Sequence, residues 1–188
     1  MENIIIRPYH TADRETCREI CRETAFDSYK KNADKLETVP VMFMDYFIEQ
    51  EPENVFVAVN ESNRVVGYII CATNYKKFIT AMKKIYTPRA MKYDRHQYWF
   101  MLMVRYALFC VRKNPCHMHI DITEKYQHMG IGKKLISALI QHLKENGFSS
   151  LLICAVSRKS AGYGFYIKYG FHEIKSYGFG HVSLLIEF

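Results

Sequence analysis

No run of this chain is long and apolar enough to cross a membrane. The longest apolar stretch, Tyr98 to Val111, is broken by Arg105 and falls short of the ~20 residues a spanning helix needs. The opening Met-Glu-Asn-Ile-Ile-Ile-Arg-Pro lacks the apolar core of a secretory signal, so a soluble, cytoplasmic protein is expected. Low-complexity tracts and fixed-period repeats are missing too, which excludes linker-like chains and solenoids. The six cysteines include no CxxC pair. Cys17 and Cys21 stand one helical turn apart, and Cys71, Cys116 and Cys154 sit in apolar runs where a thiol acts as a small hydrophobe. Neither a disulfide framework nor a zinc site is expected.

What is present suits one globular domain spanning residues 1–188. The chain is 49% hydrophobic and 24% charged, an ordinary core-forming mixture. Its net charge of +7 is unevenly spread. Between Lys76 and Lys113 ten Lys or Arg face one acid, Asp94, while the rest of the chain holds sixteen basic and eighteen acidic residues. A field of that sign attracts an anionic cofactor, a nucleic acid or an acidic partner, or simply solvates a face.

Alternation and helical spacing divide the chain. Ile4 to Arg7 reads as a first strand ended by Pro8. A helix capped by Thr11 or Asp13 runs through Thr24, with Cys17, Ile20, Cys21 and Thr24 on one side. The polar stretch 27–38 reads as a loop or short turn, and a short helix from Val41 to Glu49 follows Pro40. Val55–Val59 and Val65–Ile70 form a hairpin, with Gly67 marking a bulge or a close approach. Residues 73–115 are a basic aromatic insertion divided by Pro88, with a helix over 76–86 and the rest open between helix and irregular lid. Beyond it come strand 116–122, helix 130–146 ended by Gly147, strand 150–156, helix 160–169 ended by Gly170, and two closing strands. Strand, helix, strand over 116–156 is a parallel βαβ unit. The fold class is α/β, a single-domain mixed sheet with this unit at its centre and helices on both faces.

The most distinctive motif is Gln127-His128-Met129-Gly130-Ile131-Gly132-Lys133, between a strand and an amphipathic helix. Glycines let backbone approach a ligand without a Cβ in the way, and amides at a helix N-terminus face outward where the dipole favours anions. The spacing is neither that of a Walker loop nor GxGxxG. Further on stands Phe165-Tyr166-Ile167-Lys168-Tyr169-Gly170-Phe171.

Together these motifs, in this order and on these elements, resemble the two signatures of the GCN5-related N-acetyltransferase (GNAT) superfamily, Q-x-x-G-x-G and FYxKxGF. Ile6-Arg7-Pro8 and the hairpin ending in Val66-Gly67-Tyr68 extend the likeness to most of the chain except about 73–115. The run His119-Ile120-Asp121 and the aromatic segment before it further resemble the acetyltransferase-like domain at the end of some O-GlcNAcases. Two positions depart from the pattern. Lys159 replaces a usual Asn, trading a polar contact to the cofactor arm for a phosphate-seeking cation, and Gly162 replaces a usual Ala.

The resemblance implies acetyl-CoA as co-substrate, its pyrophosphate held by 127–133 with Lys159 nearby. It implies a polarised thioester carbonyl at the backbone of Ile120, Ile122 and Thr123, and Tyr166 as the acid that protonates the leaving thiolate. On a strand of period two, His117, His119 and Asp121 share one face, a costly row to bury without partners or purpose. Either Asp121 with His119 orients or deprotonates the acceptor amine, or the two are a hydrogen-bonded structural pair. No further ligand cluster accompanies His-x-His-x-Asp, so no metal is expected.

The leading expectation is an N-acetyltransferase working by direct attack in a ternary complex on a small-molecule or protein amine, with 73–115 as a lid that selects the acceptor. A basic mouth of that kind disfavours polyamines and cationic aminoglycosides. The alternative is a catalytically weak or inactive module that binds acyl-CoA, protein or nucleic acid, since interleaved aromatics and cations suit bases and phosphates. Monomer and homodimer are equally open.

Overall fold

The computed structural model describes residues 2–188. Strand β1 (Ile5–Pro8) leads through a tight turn into helix α1 (Arg14–Glu23). Asp13 holds that turn, accepting from the His10 N–H at 2.8 Å and pairing with Arg7 at 2.7 Å. Cys17, Ile20 and Cys21 are buried, as their helical spacing implied.

The stretch 27–38 is not the expected loop. It forms α2 (Asp27–Lys30) and most of α3 (Ala33–Phe43), which Asn32 caps by accepting from the Lys35 N–H at 2.9 Å. Its polar residues make tertiary contacts that no local pattern announces. Glu37 pairs with Arg22 of α1 at 3.1 Å, while buried Thr38 satisfies its hydroxyl within the helix, donating to the Lys35 carbonyl at 2.6 Å. Pro40 lies inside α3 rather than at a helix start, and the chain breaks at Met44 before α4 (Asp45–Gln50). Next come β2 (Val55–Val59) and β3 (Val65–Ala72), a hairpin with a register shift after Ala58.

Residues 73–115 are helical. α5 (Tyr75–Ala81), capped by Asn74, runs through a widened π turn at Met82–Tyr86 into α6 (Thr87–Met91), and α7 (Gln97–Cys110) follows. Pro88 does not divide the helical run, because the π turn just before it shifts the hydrogen-bond pattern where the proline lacks an N–H. Phe78, Met82, Tyr86, Ala90, Met101 and Leu108 are buried in the core shared with α1, α3 and β3. Arg89 and Arg14 both pair with Glu49, at 3.1 and 2.6 Å, and the Tyr86 hydroxyl donates to it at 2.9 Å. The segment is thus an integral layer of the domain. α7 exposes a row of large side chains, Tyr98, Trp99, Met103, Tyr106 and Phe109.

The remaining elements are β4 (His117–Ile122), α8 (Ile131–Glu145), β5 (Ser150–Ser157), α9 (Ala161–Tyr169), β6 (His172–Tyr177) and β7 (His181–Glu187). Gly147 and Gly170 follow α8 and α9 with φ of +80° and +118°, the left-handed caps expected. One seven-stranded sheet runs in the order β1-β2-β3-β4-β5-β7-β6, parallel only between β4 and β5. α8 packs Leu135, Leu139 and Leu143 onto one face with Cys71 and Met118, and the helices up to α7 cover the other face around Tyr68 and Ile70. This is the mixed α/β sheet with helices on both faces. Among the described residues no helix is long and apolar enough to cross a membrane.

Candidate acyl-transfer site

The site begins where the sheet comes apart. β4 and β5 pair at one position, His117 opposite Leu152. Past it β5 is irregular, with a register shift against β7 between Ile153 and Val156 and a φ of +54° at Ala155. Backbone groups alternate sides along a strand. The Cys116 carbonyl accepts from the Leu152 N–H at 2.8 Å, so the N–H groups of Met118, Ile120 and Ile122 also point toward β5. At Ile120 and Ile122 that direction is the opening. Thr123, expected beside them, instead donates both its N–H (3.0 Å) and its hydroxyl (3.3 Å) to the Val66 carbonyl. β3 comes this close because residue 67 is glycine, where a Cβ would stand 2.9 Å from Ile122 Cγ1 and 3.0 Å from the Asp121 carbonyl oxygen.

At the foot of the opening lies the turn before α8. The Gln127 Nε2 donates to the Ile122 carbonyl at 3.0 Å, tying turn to strand. His128 and Gly130 take positive φ, +62° and +78°, and a Cβ on Gly130 would meet nothing within 4 Å. Among the described residues the N–H groups of His128, Met129, Gly130, Ile131, Gly132 and Lys133 donate no hydrogen bond. Lys133 is exposed beside them, and no acid occurs from Gln127 to Lys134. Unpaired amides at the positive end of a 15-residue helix, with a nearby cation, fit a pyrophosphate. Gly132 serves packing as well, since a Cβ there would stand 3.0 Å from Phe165 Cζ on α9. Lys159 is exposed on the segment leading into α9.

Tyr166 stands on α9 with its ring against Phe165 and Phe171, centroids 5.4 and 5.8 Å away. Its hydroxyl has no intramolecular hydrogen-bond partner among the described residues. Burial raises its pKa, and the charge of Asp121 raises it further, so the hydroxyl keeps its proton.

Across the sheet the parity of β4 is as the alternation implied. Cys116, Met118, Ile120 and Ile122 face the α8 side, while His117, His119 and Asp121 face the other. The three do not act together. His117 is buried edge-on to Phe78, centroids 4.5 Å apart, and burial lowers its pKa to about 4. His119 Nε2 lies 3.0 Å from Asp121 Oδ2, and the Tyr68 hydroxyl donates to the same oxygen in a short hydrogen bond. Burial raises the Asp121 pKa, but the His119 charge and the bonds from His119 and Tyr68 outweigh it, and the carboxyl stays below its usual value. For His119 burial works downward, and the Asp121 charge and bond prevail to raise it. Tyr68 is missing from the sequence reading because only register sets it opposite Asp121.

A cavity of about 200 Å³ opens over this pair. Its walls are Thr24, Ala25, Phe26, Tyr29, Val39 and Phe43, with His119 and Asp121 at its polar end. The ring of Phe43 stacks on His119 at 5.9 Å and is backed by Phe100 of α7 at 5.5 Å. Residues 73–115 therefore support the cavity from behind instead of lining it, and none of their ten cations is in its wall.

A mixed sheet splayed between its parallel strands β4 and β5, with a turn of unpaired amides at the splay and a carboxylate–imidazole pair beside it, fits a fold of the acetyltransferase class. The family model for acetyltransferases (GNAT) matches residues 16–171, and the chain belongs to that family. Among solved structures it is similar to SsHAT, with 26% identity, 98% of both chains covered and a TM-score of 0.85. It is also similar in fold to PH1933 from Pyrococcus horikoshii OT3, at 15% identity over 98% of both chains with a TM-score of 0.65. The PaiA N-acetyltransferase from Thermoplasma acidophilum, solved in complex with coenzyme A, shares 17% identity over 99% of both chains with a TM-score of 0.62. A search of curated proteins returns no match.

Proposed function

We propose that the protein transfers the acetyl group of acetyl-CoA to a primary amine by direct attack while both are bound. The observation that carries this reading is the turn of six unpaired amides at the foot of the β4–β5 opening. Gln127 to Lys133 would hold the pyrophosphate, with Lys133 and Lys159 supplying positive charge. When bound, acetyl-CoA supplies an activated thioester carbonyl.

The N–H groups of Ile120 and Ile122 face the opening and would donate to the carbonyl oxygen as it gains charge. Ionised Asp121 attracts the ammonium form of the acceptor. Neutral His119 takes the amine's proton, and Asp121 stabilises the imidazolium that results. The Tyr166 hydroxyl, kept protonated by burial and by Asp121, gives its proton to the departing sulfur, and the second proton that the nitrogen sheds as the amide forms restores the tyrosine. A covalent relay finds no support, because burial pushes the thiol of Cys21, the cysteine in the cavity wall, far up. Within the family we further infer kinship with the acetyltransferase-like domain of O-GlcNAcases, on the run His119-Ile120-Asp121 and the aromatic segment before it.

The second reading, a binding module on the same fold, is favoured by the exposed aromatic row of α7. Thiol release from acetyl-CoA in the presence of primary amines separates the two. Tyr166→Phe is expected to lower kcat by ~10²- to 10⁴-fold and to leave calorimetric affinity for acetyl-CoA unchanged. Unaltered turnover in this variant would remove Tyr166 from the chemistry. Acetyl-CoA binding without turnover of any amine would favour the module.

A further inference from the structure

We infer that the acceptor is a small primary monoamine with an aromatic or compact apolar body and no carboxylate, phosphate or sugar hydroxyls, seated in the cavity between α2, α3 and β4. The inference rests on the acetyltransferase reading and deepens it. The cavity of about 200 Å³ is walled by Ala25, Phe26, Tyr29, Val39 and Phe43, and its one ionised acid, Asp121, lies at the end nearest the opened strands. Thr24 adds no free donor, since its hydroxyl already donates to the Ile20 carbonyl at 2.9 Å.

Each candidate class meets this wall differently. An ammonium pairs with Asp121, and a ring fits among Phe26, Tyr29 and Phe43. An apolar cavity of ~150 Å³ is enough for benzene, so the observed volume admits a ring with a short aminoalkyl arm. The carboxylate of an amino acid would enter a wall with no Lys or Arg and face Asp121. An amino sugar would set most of its hydroxyls against Ala25, Phe26, Val39 and Phe43, with too few polar groups in the wall (Thr24, Tyr29, His119) to satisfy them all. A second ammonium, as in a polyamine, would find no second carboxylate. A lysyl side chain brings the right charge, but its thin tetramethylene chain leaves the aromatic walls unfilled.

The test compares thiol release with 2-phenylethylamine, L-phenylalanine, glucosamine and an Nα-acetyl-lysine amide, on wild type and Ala25→Trp, which fills the cavity. Expected are a kcat/KM for phenylethylamine ~100-fold above phenylalanine and ~10-fold above the other two. Its KM should rise ~10-fold or more in Ala25→Trp, with acetyl-CoA affinity kept. Where that variant does not fold, Phe26→Ala replaces it. Phe26 is 79% exposed, so its truncation spares the core while removing one wall. A preference for glucosamine or the lysine amide, or a KM indifferent to both variants, would overturn the inference and leave the acetyltransferase reading standing. Failure to bind acetyl-CoA would instead defeat that reading. Calorimetric titration with phenylethylamine alone then decides the inference: saturable binding weakened by the cavity variant upholds it, and no binding overturns it.

Discussion

Placing a glutamate at Gly130 separates backbone strain from ligand recognition. Gly130 has φ +78°, and a Cβ there meets nothing within 4 Å, so Gly130→Glu introduces no clash. The left-handed conformation costs a non-glycine residue about 1–2 kcal/mol. The new charge at a helix N-terminus returns roughly 0.3–1 kcal/mol of that. Gly147, at the other end of α8, is the matched control, with φ +80° and equally open surroundings. Gly147→Glu carries the same strain with its charge at the unfavourable pole, so it should be the less stable of the two by about 1 kcal/mol. Binding should rank them the other way. A carboxylate about 5 Å from a pyrophosphate at an effective dielectric of about 20 is repelled by about 3 kcal/mol, or roughly a hundred-fold in Kd. Urea unfolding and calorimetric titration with acetyl-CoA measure the two effects separately. Equal loss of affinity in both variants, or no loss at Gly130, would refute the cradle.

Two further expectations concern pH. If neutral His119 is the base, kcat/KM rises with pH through its pKa, which Asp121 holds above the ordinary value of 6.5. Asp121→Asn should lower the rate and move that limb to lower pH; a limb that stays in place removes His119 from the role. His117 bears on stability. Burial holds it neutral in the fold down to about pH 4, whereas the unfolded chain protonates it near 6.5. The unfolded state binds more protons between those values, so stability falls as pH drops, by about 2 kcal/mol between pH 7 and pH 5. Denaturant midpoints over that range should show this slope in wild type and a shallower one in His117→Leu. Equal slopes would mean that His117 titrates normally.

The legible parts of the fold were those whose signal is local. Alternation along 117–122 separated the His119–Asp121 face from the Met118–Ile120 face. Glycine after a helical pattern located the ends of α8 and α9. The misread parts depend on contacts and turns that hydrophobic period does not announce. Residues 33–38 look like a loop until Arg22 of α1 takes Glu37. Pro88 reads as a divider until the π turn before it accommodates the missing N–H. The charge of 76–113 suggested a basic acceptor mouth, yet Arg89 spends its cation on Glu49, and none of the segment enters the cavity wall.

By itself, the sequence determined the family, the glycine turn before α8 and the order of strands and helices around it, because motif spacing, left-handed glycines and hydrophobic period are properties of neighbouring residues. Tertiary structure alone decided the surroundings of His119 and Asp121. It set Tyr68 opposite Asp121 through strand register, turned the Thr123 amide toward Val66, and closed Phe26, Tyr29, Val39 and Phe43 into one wall over a carboxylate some eighty residues or more away along the chain. Contacts of that separation exist only once the sheet has formed. The shape and charge of the cavity over His119 and Asp121 are therefore features of the fold that no stretch of the sequence contains.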